Sequence, residues 1–201
     1  MSIVTGIRSA VLSDVVSIAK IHVACWQEVY AFMPKELQSK RDYNYRLEQW
    51  LKWFDTLPVN EAVYVLTDNT RVVGFAVAKP NTDPDFDVPG EFHACYILPQ
   101  YRGGHAGPVA MMALAHFLKS NDMWPACIWA FKNNPYRRIY PALGCKPEVF
   151  RDRFIAGHAL PEIGYQVTDY DRLIARLSGM CGRALERRIR NKVASAVNTP
   201  S

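Results

Sequence analysis

Between Tyr96 and Leu118 the chain reads YILPQYRGGHAGPVAMMALAHFL. An apolar, strand-like run meets Arg102, Gly103, Gly104, His105, Ala106 and Gly107, and an apolar, helix-like run follows with no linker. A helix that begins where a strand ends leaves its first N–H groups unpaired, with the positive end of its dipole behind them. Glycines let that backbone approach a ligand closely. A phosphate or pyrophosphate is the natural occupant of such a turn. The spacing is not that of a P-loop, because Gly107 is followed by Pro108 and Val109, and Gly103-Gly104-His105 breaks the GxGxxG dinucleotide pattern. A Rossmann domain is thereby disfavoured.

Residues able to move protons lie nearby. Glu91 and His93 are two apart in a strand-like run, so alternation puts both on one face, opposite Phe92 and Ala94. A bulge between them would undo that argument. Either is a candidate base, and the sequence does not choose between them. His22 and Trp26 stand at i and i+4 in an earlier helical stretch, with Tyr30 one turn on. They fit the wall of a substrate mouth, or an aromatic–imidazole contact in a core. Asp83, Asp85 and Asp87 form an acidic loop, either an attractor for a cationic amine or a solvated turn.

The elements that must hold these residues follow from periodicity. SIVTGIRSA reads as a strand, and LSDVVSIAKIHVACWQEVYAFMP as a helix capped by Ser13 and ended by Pro34. Glu36 to Leu57 is expected as a second helix. AVYVLTDNTRVVGFAVAKP is a hairpin turning at Asp68-Asn69-Thr70, and EFHACYIL the next strand. A helix from Val109, the strand WPACIWAF and a short helix with Pro135 in its first turn follow, with Gly144 as the C-terminal stop. A last hairpin turns widely near Gly157, and a basic amphipathic helix begins near Asp171. The order β-α-α-β-β-β-α-β-α-β-β predicts a mixed α/β domain over 1–168, with a basic C-terminal helix and tail over 169–201.

Composition bounds the rest. With 201 residues, 49% hydrophobic and 21% charged, the chain can bury a full core. Residues 1–21 lack the regions of a signal peptide, and no apolar run approaches the roughly 20 residues of a membrane span, so a cytoplasmic protein without a membrane partner is expected. Five dispersed cysteines without CxxC or a His at ligand spacing predict reduced thiols and no metal site. The net charge is +5 overall, and Arg172 to Lys192 alone carries seven basic residues against Glu186, or +6, which leaves −1 for the remainder. Such a helix could track nucleic-acid phosphates, but no zinc pattern or stacking motif accompanies it, and a solvated helix or a subunit contact is the simpler reading.

Taken together, Leu98-Pro99-Gln100-Tyr101-Arg102-Gly103-Gly104-His105-Ala106-Gly107 resembles the acetyl-coenzyme A loop of the GCN5-related N-acetyltransferase superfamily, Arg/Gln-x-x-Gly-x-Gly/Ala. NNPYRRIYPALGC, Asn133 to Cys145, is similar in spacing to that superfamily's Asn-x-x-Ala-x-x-Phe-Tyr-x-x-x-Gly-Phe, and the element order agrees from about Ile3 to Val167. His105 stands where glycine is usual, Pro108 removes one amide, and Cys145 replaces a phenylalanine. The resemblance implies a largely antiparallel, splayed sheet of six to seven strands flanked by about four helices. It implies acetyl transfer from acetyl-CoA to a primary amine of a small molecule or peptide, by direct attack in a ternary complex. The pantetheine arm would lie against Ala94 to Leu98, with Tyr96, Ile97 and Leu98 as its contacts, and the pyrophosphate over Arg102 to Gly107. Tyr140 would be the general acid beside the sulfur, Glu91 or His93 the base, and Asn133 and Tyr136 cofactor contacts, with packing or capping as their alternatives. His22, Trp26 and Tyr30 would line the acceptor site. A homodimer is common among such proteins. A coenzyme A-binding sensor without turnover is the competing reading, and a nucleic-acid binder the third.

Overall fold

The computed structural model describes residues 3–56 and 58–197, with residues 192–197 described by backbone alone. Among the described residues seven strands form one sheet: β1 (Gly6–Ser9), β2 (Ala62–Asp68), β3 (Arg71–Pro80), β4 (Gly90–Ile97), β5 (Ala126–Phe131), β6 (Lys146–Ile155) and β7 (His158–Val167). Their order is β1-β2-β3-β4-β5-β7-β6, and every pairing is antiparallel except β4 with β5. The fold is the mixed α/β, largely antiparallel and splayed arrangement that the sequence predicts. Among the described residues six helices accompany it, where about four and a further basic C-terminal helix are expected: α1 (Val15–Val29), α2 (Lys35–Ser39), α3 (Tyr43–Thr56), α4 (Ala106–Ser120), α5 (Ile139–Leu143) and α6 (Tyr170–Val197).

Two layers of helix cover the sheet. The middle of β3 is buried on both faces, so it reads as a continuous apolar run. Ala76 and Ala78 pack with Ala110, Leu114 and Leu118 of α4, whereas Phe75 and Val77 pack with Ile18 and Cys25 of α1 and Trp50 of α3. The expected helix over 36–57 is two helices, because Asp42 accepts from the Tyr45 amide at 2.9 Å and starts a new one there. Its expected last residue, Leu57, lies outside the described residues. The final hairpin turns tightly, with Ala156 and Gly157 at φ 48° and 83° between the paired Ile155 and His158. α6 is no solvated appendage. Leu173 and Leu177 are fully buried in the core shared with α4.

The feature that matters for function is where β4 and β5 part. They pair only at Gly90↔Ala126 and Glu91↔Cys127. Beyond that point, Phe92–Ile97 present to β5 an edge with no strand on it. One register shift accompanies the parting: Val77 faces Ala94 and Ala78 faces Phe92, which leaves His93 as the extra residue of a bulge. Gly90 permits the close contact at the apex, since a Cβ there would lie 2.2 Å from the Met123 carbonyl oxygen and 2.9 Å from Leu118 Cδ2. Gly90→Ala is therefore expected to cost about 1–3 kcal/mol of overpacking, read as a lower urea midpoint. An unchanged midpoint would mean that the apex yields.

Among the described residues, no helix is long and apolar enough to cross a membrane, no cluster of three His, Cys, Asp or Glu forms a metal site, and all five cysteines are free.

Candidate functional site

The glycine turn joins a single 3-10 turn at Pro99–Tyr101 to α4. Gly103 has φ 75°, a left-handed conformation in which a side chain is strained. The first helical hydrogen bond of α4 comes from Val109 to the His105 carbonyl, at 2.9 Å. The N–H groups of Gly103 to Gly107 find no acceptor among the described residues. A Cβ at Gly103, Gly104 or Gly107 would meet nothing within 4 Å, so the turn opens on free space. Five unmet donors, a helix dipole and an open concave surface together suit an anion.

That turn forms one end of a cleft of about 410 Å³ in the gap between β4 and β5. Ile97, Cys95 and Ala94 of β4 line one side, with Ile128 and Trp129 of β5 opposite. A second cleft of about 840 Å³ opens on the other side of the gap, walled by α1, α3 and the β6–β7 hairpin. Tyr30, His93, Ala94, Tyr96 and Trp129 line both clefts. Two ligands entering from opposite sides would therefore meet at His93 and Tyr96.

The proton-handling groups sit at that junction. His93 Nδ1 lies 2.7 Å from Glu91 Oε1, so the bulge does not separate the pair. Lys79 Nζ is 3.4 Å from the other carboxylate oxygen. Burial pushes the Glu91 carboxyl up, but the His93 hydrogen bond and the Lys79 charge outweigh it and hold it below its ordinary value. An ionised carboxylate has no proton to give, so Nδ1 donates, and in the unprotonated ring that tautomer leaves Nε2 as the acceptor. On the first cleft, Tyr140 stacks on Tyr165 at 5.2 Å, and no hydrogen bond occupies its hydroxyl among the described residues. Burial raises the Tyr140 phenol well above its ordinary value, so it stays protonated.

Residues 16–144 match the family model described as the Acetyltransferase (GNAT) family. The chain belongs to that GNAT acetyltransferase family. It is 29% identical over 171 residues to an uncharacterized N-acetyltransferase, YuaI, of Bacillus subtilis (strain 168), covering 83% of this chain and 95% of that one. Among solved structures, it resembles yncA, a putative acetyltransferase from Salmonella typhimurium with its cofactor acetyl-CoA, at TM-score 0.61 and 18% identity over 81% of this chain and 92% of that one. It also resembles the PaiA N-acetyltransferase of Thermoplasma acidophilum in complex with coenzyme A, at TM-score 0.56 and 12% identity over 81% and 98% of the two chains. GNAT membership supports an acetyl-CoA-dependent acetyltransferase activity in general terms.

Several residues expected at a GNAT site are placed otherwise. Leu98 does not line the cleft, and its N–H and carbonyl are engaged by the Val73 carbonyl at 3.0 Å and the Tyr101 amide at 2.9 Å. His105 turns away from the cleft, with Nε2 2.9 Å from the Val4 carbonyl oxygen. The short helical segment is opened by Asn134, whose side chain accepts from the Tyr136 amide at 2.9 Å, while Asn133 is exposed and outside the cleft. Arg102 lines the cleft but is occupied: Nε donates to the Ile97 carbonyl at 2.6 Å, and its Nη atoms donate to both Glu28 carboxylate oxygens, at 2.7 and 2.9 Å, and to Tyr136 Oη. It braces the loop against α1 and leaves the loop amides as anion donors. Tyr136 and Ala106 stay at the loop, the former half-exposed in the cleft and the latter buried beneath it.

His22, Trp26 and Tyr30 line the second cleft. His22 Nδ1 accepts from Trp50 Nε1 at 3.3 Å, and burial, followed by the Arg46 charge, holds its pKa well below the ordinary value, so it is a neutral wall residue. The acidic loop is no free attractor, because Arg151 pairs with Asp83 and Asp85 and stacks on Trp129 at 3.8 Å. Sequence reasoning missed three contributors: Trp129 at the junction, Arg46 in the second cleft, and Arg183 with Arg187 of α6 in the first. Only the last pair left a signal, since both flank the apolar stripe of Leu173, Leu177 and Ala184 at helical spacing.

Proposed function

We propose that the protein is an acetyl-CoA-dependent N-acetyltransferase in which cofactor and amine acceptor enter from opposite sides of the splayed strands and react at His93. The observation that carries this reading is the pair of clefts meeting at Tyr30, His93, Ala94, Tyr96 and Trp129, one of them ending on five unmet loop amides. The residues fit the cofactor: Gly103 to Gly107 would hold the pyrophosphate, and the free edge of β4 would accept the extended arm as a strand accepts its neighbour. Bound acetyl-CoA would supply the thioester carbonyl. His93 Nε2 takes the proton of the amine, directly or through water, while Glu91 fixes the ring tautomer. Tyr140 gives a proton on the leaving-group side.

α6 completes the cofactor site in this reading. With Arg102 neutralised by Glu28, the cationic side chains facing the first cleft without an ion pair among the described residues are Arg183 and Arg187. Their guanidinium groups suit the phosphates at the cleft mouth. Calorimetric titration with acetyl-CoA tests the whole reading, with saturable one-to-one binding as the expected result. Arg183→Glu with Arg187→Glu should weaken it about tenfold or more at low salt, and flatten its salt dependence. No binding at millimolar cofactor would overturn the acetyltransferase reading. Binding without turnover of any amine would leave a coenzyme A sensor.

A further inference from the structure

The second cleft contains a charge without a counter-charge. Arg46, in the first turn of α3, is 95% buried (5% exposed) and lines that cleft. Its Nη1 donates to Gln49 Oε1 at 2.8 Å, and its Nε has no hydrogen-bond partner among the described residues. No carboxylate pairs with it among the described residues. The guanidinium lies 5.4 Å from the Tyr45 ring and 5.9 Å from that of Trp26, aromatic contacts that give its Nε no acceptor. Arg41 stands beside it, 5.3 Å from Trp26, and likewise has no ion pair among the described residues.

A buried guanidinium is costly unless paired, and arginine cannot shed its proton as a lysine can. The carboxylates of the same cleft are already engaged. Glu61 takes Trp53 Nε1 at 2.7 Å, Glu91 takes His93 and Lys79, and Glu162 takes Arg151 at 2.8 Å. The cleft is lined by Arg41, Arg46, Lys52, Lys79 and Arg153 against those three glutamates, an excess of positive charge that a simple cationic amine would find unfavourable. The anion that completes Arg46 must therefore arrive with the ligand.

We infer that Arg46 receives a carboxylate of the acceptor, which makes the acceptor an amine that carries its own acidic group, with its nitrogen toward Glu91 and His93 and its carboxylate on the Arg46 fork. This assignment rests on the acetyltransferase reading for the direction in which the acceptor lies. The planar fork of arginine matches a carboxylate with two parallel hydrogen bonds, and the burial of Arg46 strengthens them relative to bonds made in water.

The test compares amino acids with their decarboxylated amines, each pair differing only by the carboxylate, in calorimetric titrations of the protein and in acetyl-CoA consumption. Amino acids are expected to bind at least about tenfold more tightly than their matched amines, and Arg46→Gln should reduce that ratio to near one. Arg46→Lys, which keeps the charge and loses the fork, should fall between. Acetyl-CoA titration of both variants reports whether they fold. Matched amines that bind or react as well as the amino acids overturn the inference and leave the transferase reading standing. Failure of both ligand classes to bind also overturns it. Failure of acetyl-CoA to bind, with amino-acid binding still dependent on Arg46, sinks the transferase reading and keeps the anion site.

Discussion

Replacing His93 with asparagine is expected to lower kcat about 10²- to 10⁴-fold at neutral pH, the usual contribution of a positioned base, and to leave acetyl-CoA binding almost unchanged. The reason is geometric. His93 is the extra residue of the β4 bulge, half-exposed at the meeting point of the two clefts, and its Nδ1 is committed to Glu91. Its Nε2, which has no partner among the described residues, can accept from an incoming ammonium when the ring is unprotonated. Without it, only the fraction of acceptor already deprotonated can attack. The deficit should therefore shrink as pH rises toward the acceptor's own pKa, about 8 for an α-amino group and about 10 for an alkyl amine. Glu91→Gln should cost less, because Glu91 acts through the ring. The double variant should be no slower than His93→Asn, the non-additivity expected of two residues serving one function. Glu91, held below its ordinary value, remains ionised across the neutral and alkaline range and contributes no limb of its own there. A deficit that stays constant with pH, or additive losses in the double variant, would remove His93 from the role.

How far the sequence discloses this site depends on what kind of fact is asked for. The strand–glycine–helix junction is legible because the local requirement is severe: a left-handed residue at Gly103 and open space at Gly104 and Gly107 leave few residue types that fit. The apolar run of β3 is legible too, because a strand buried on both faces admits few polar residues. The bulge at His93 is not, because FHACYI alternates as well with the bulge as without it, and only the pairing to β3 reveals the extra residue. The break of the second helix rests on one side chain, Asp42, whose capping bond competes with helix continuation at a site where propensity favours neither. Arg46 is the extreme case. A lone arginine amid tyrosines and tryptophans reads as a surface residue of an amphipathic helix, and its burial follows from α1 lying across it. The role of α6 was half visible. Its apolar stripe predicts packing, but the layer it packs on, and hence the cleft that Arg183 and Arg187 reach, is a tertiary fact.

Tyr140→Phe is expected to lower kcat about 10²-fold or more, with little change in stability or in the Kd for acetyl-CoA. Four phenols line the first cleft, and that of Tyr136 accepts from Arg102 at 2.7 Å. No hydrogen bond occupies the Tyr140 hydroxyl among the described residues, and its ring contact with Tyr165 survives in phenylalanine. The variant thus removes one proton and almost no packing. Burial, with Cys95 adding to it, raises the phenol above its ordinary value of 10.0. The acid form consequently persists to high pH, so wild-type kcat should show no alkaline loss attributable to this group below about pH 10. Cys95 is exposed along the same cleft, yet the protein packed around its sulfur pushes the thiol up to about 12 and keeps it protonated, so it is no competitor as a nucleophile. The neighbouring environment therefore favours a neutral donor over a thiolate, which is what a departing sulfur needs as its bond to carbon breaks. Thioesters of graded leaving-group acidity separate this role from simple packing. A proton donor matters most for the most basic leaving thiolate, so the Tyr140→Phe deficit should widen along that series, and a deficit equal for every thioester would assign Tyr140 to the wall of the cleft.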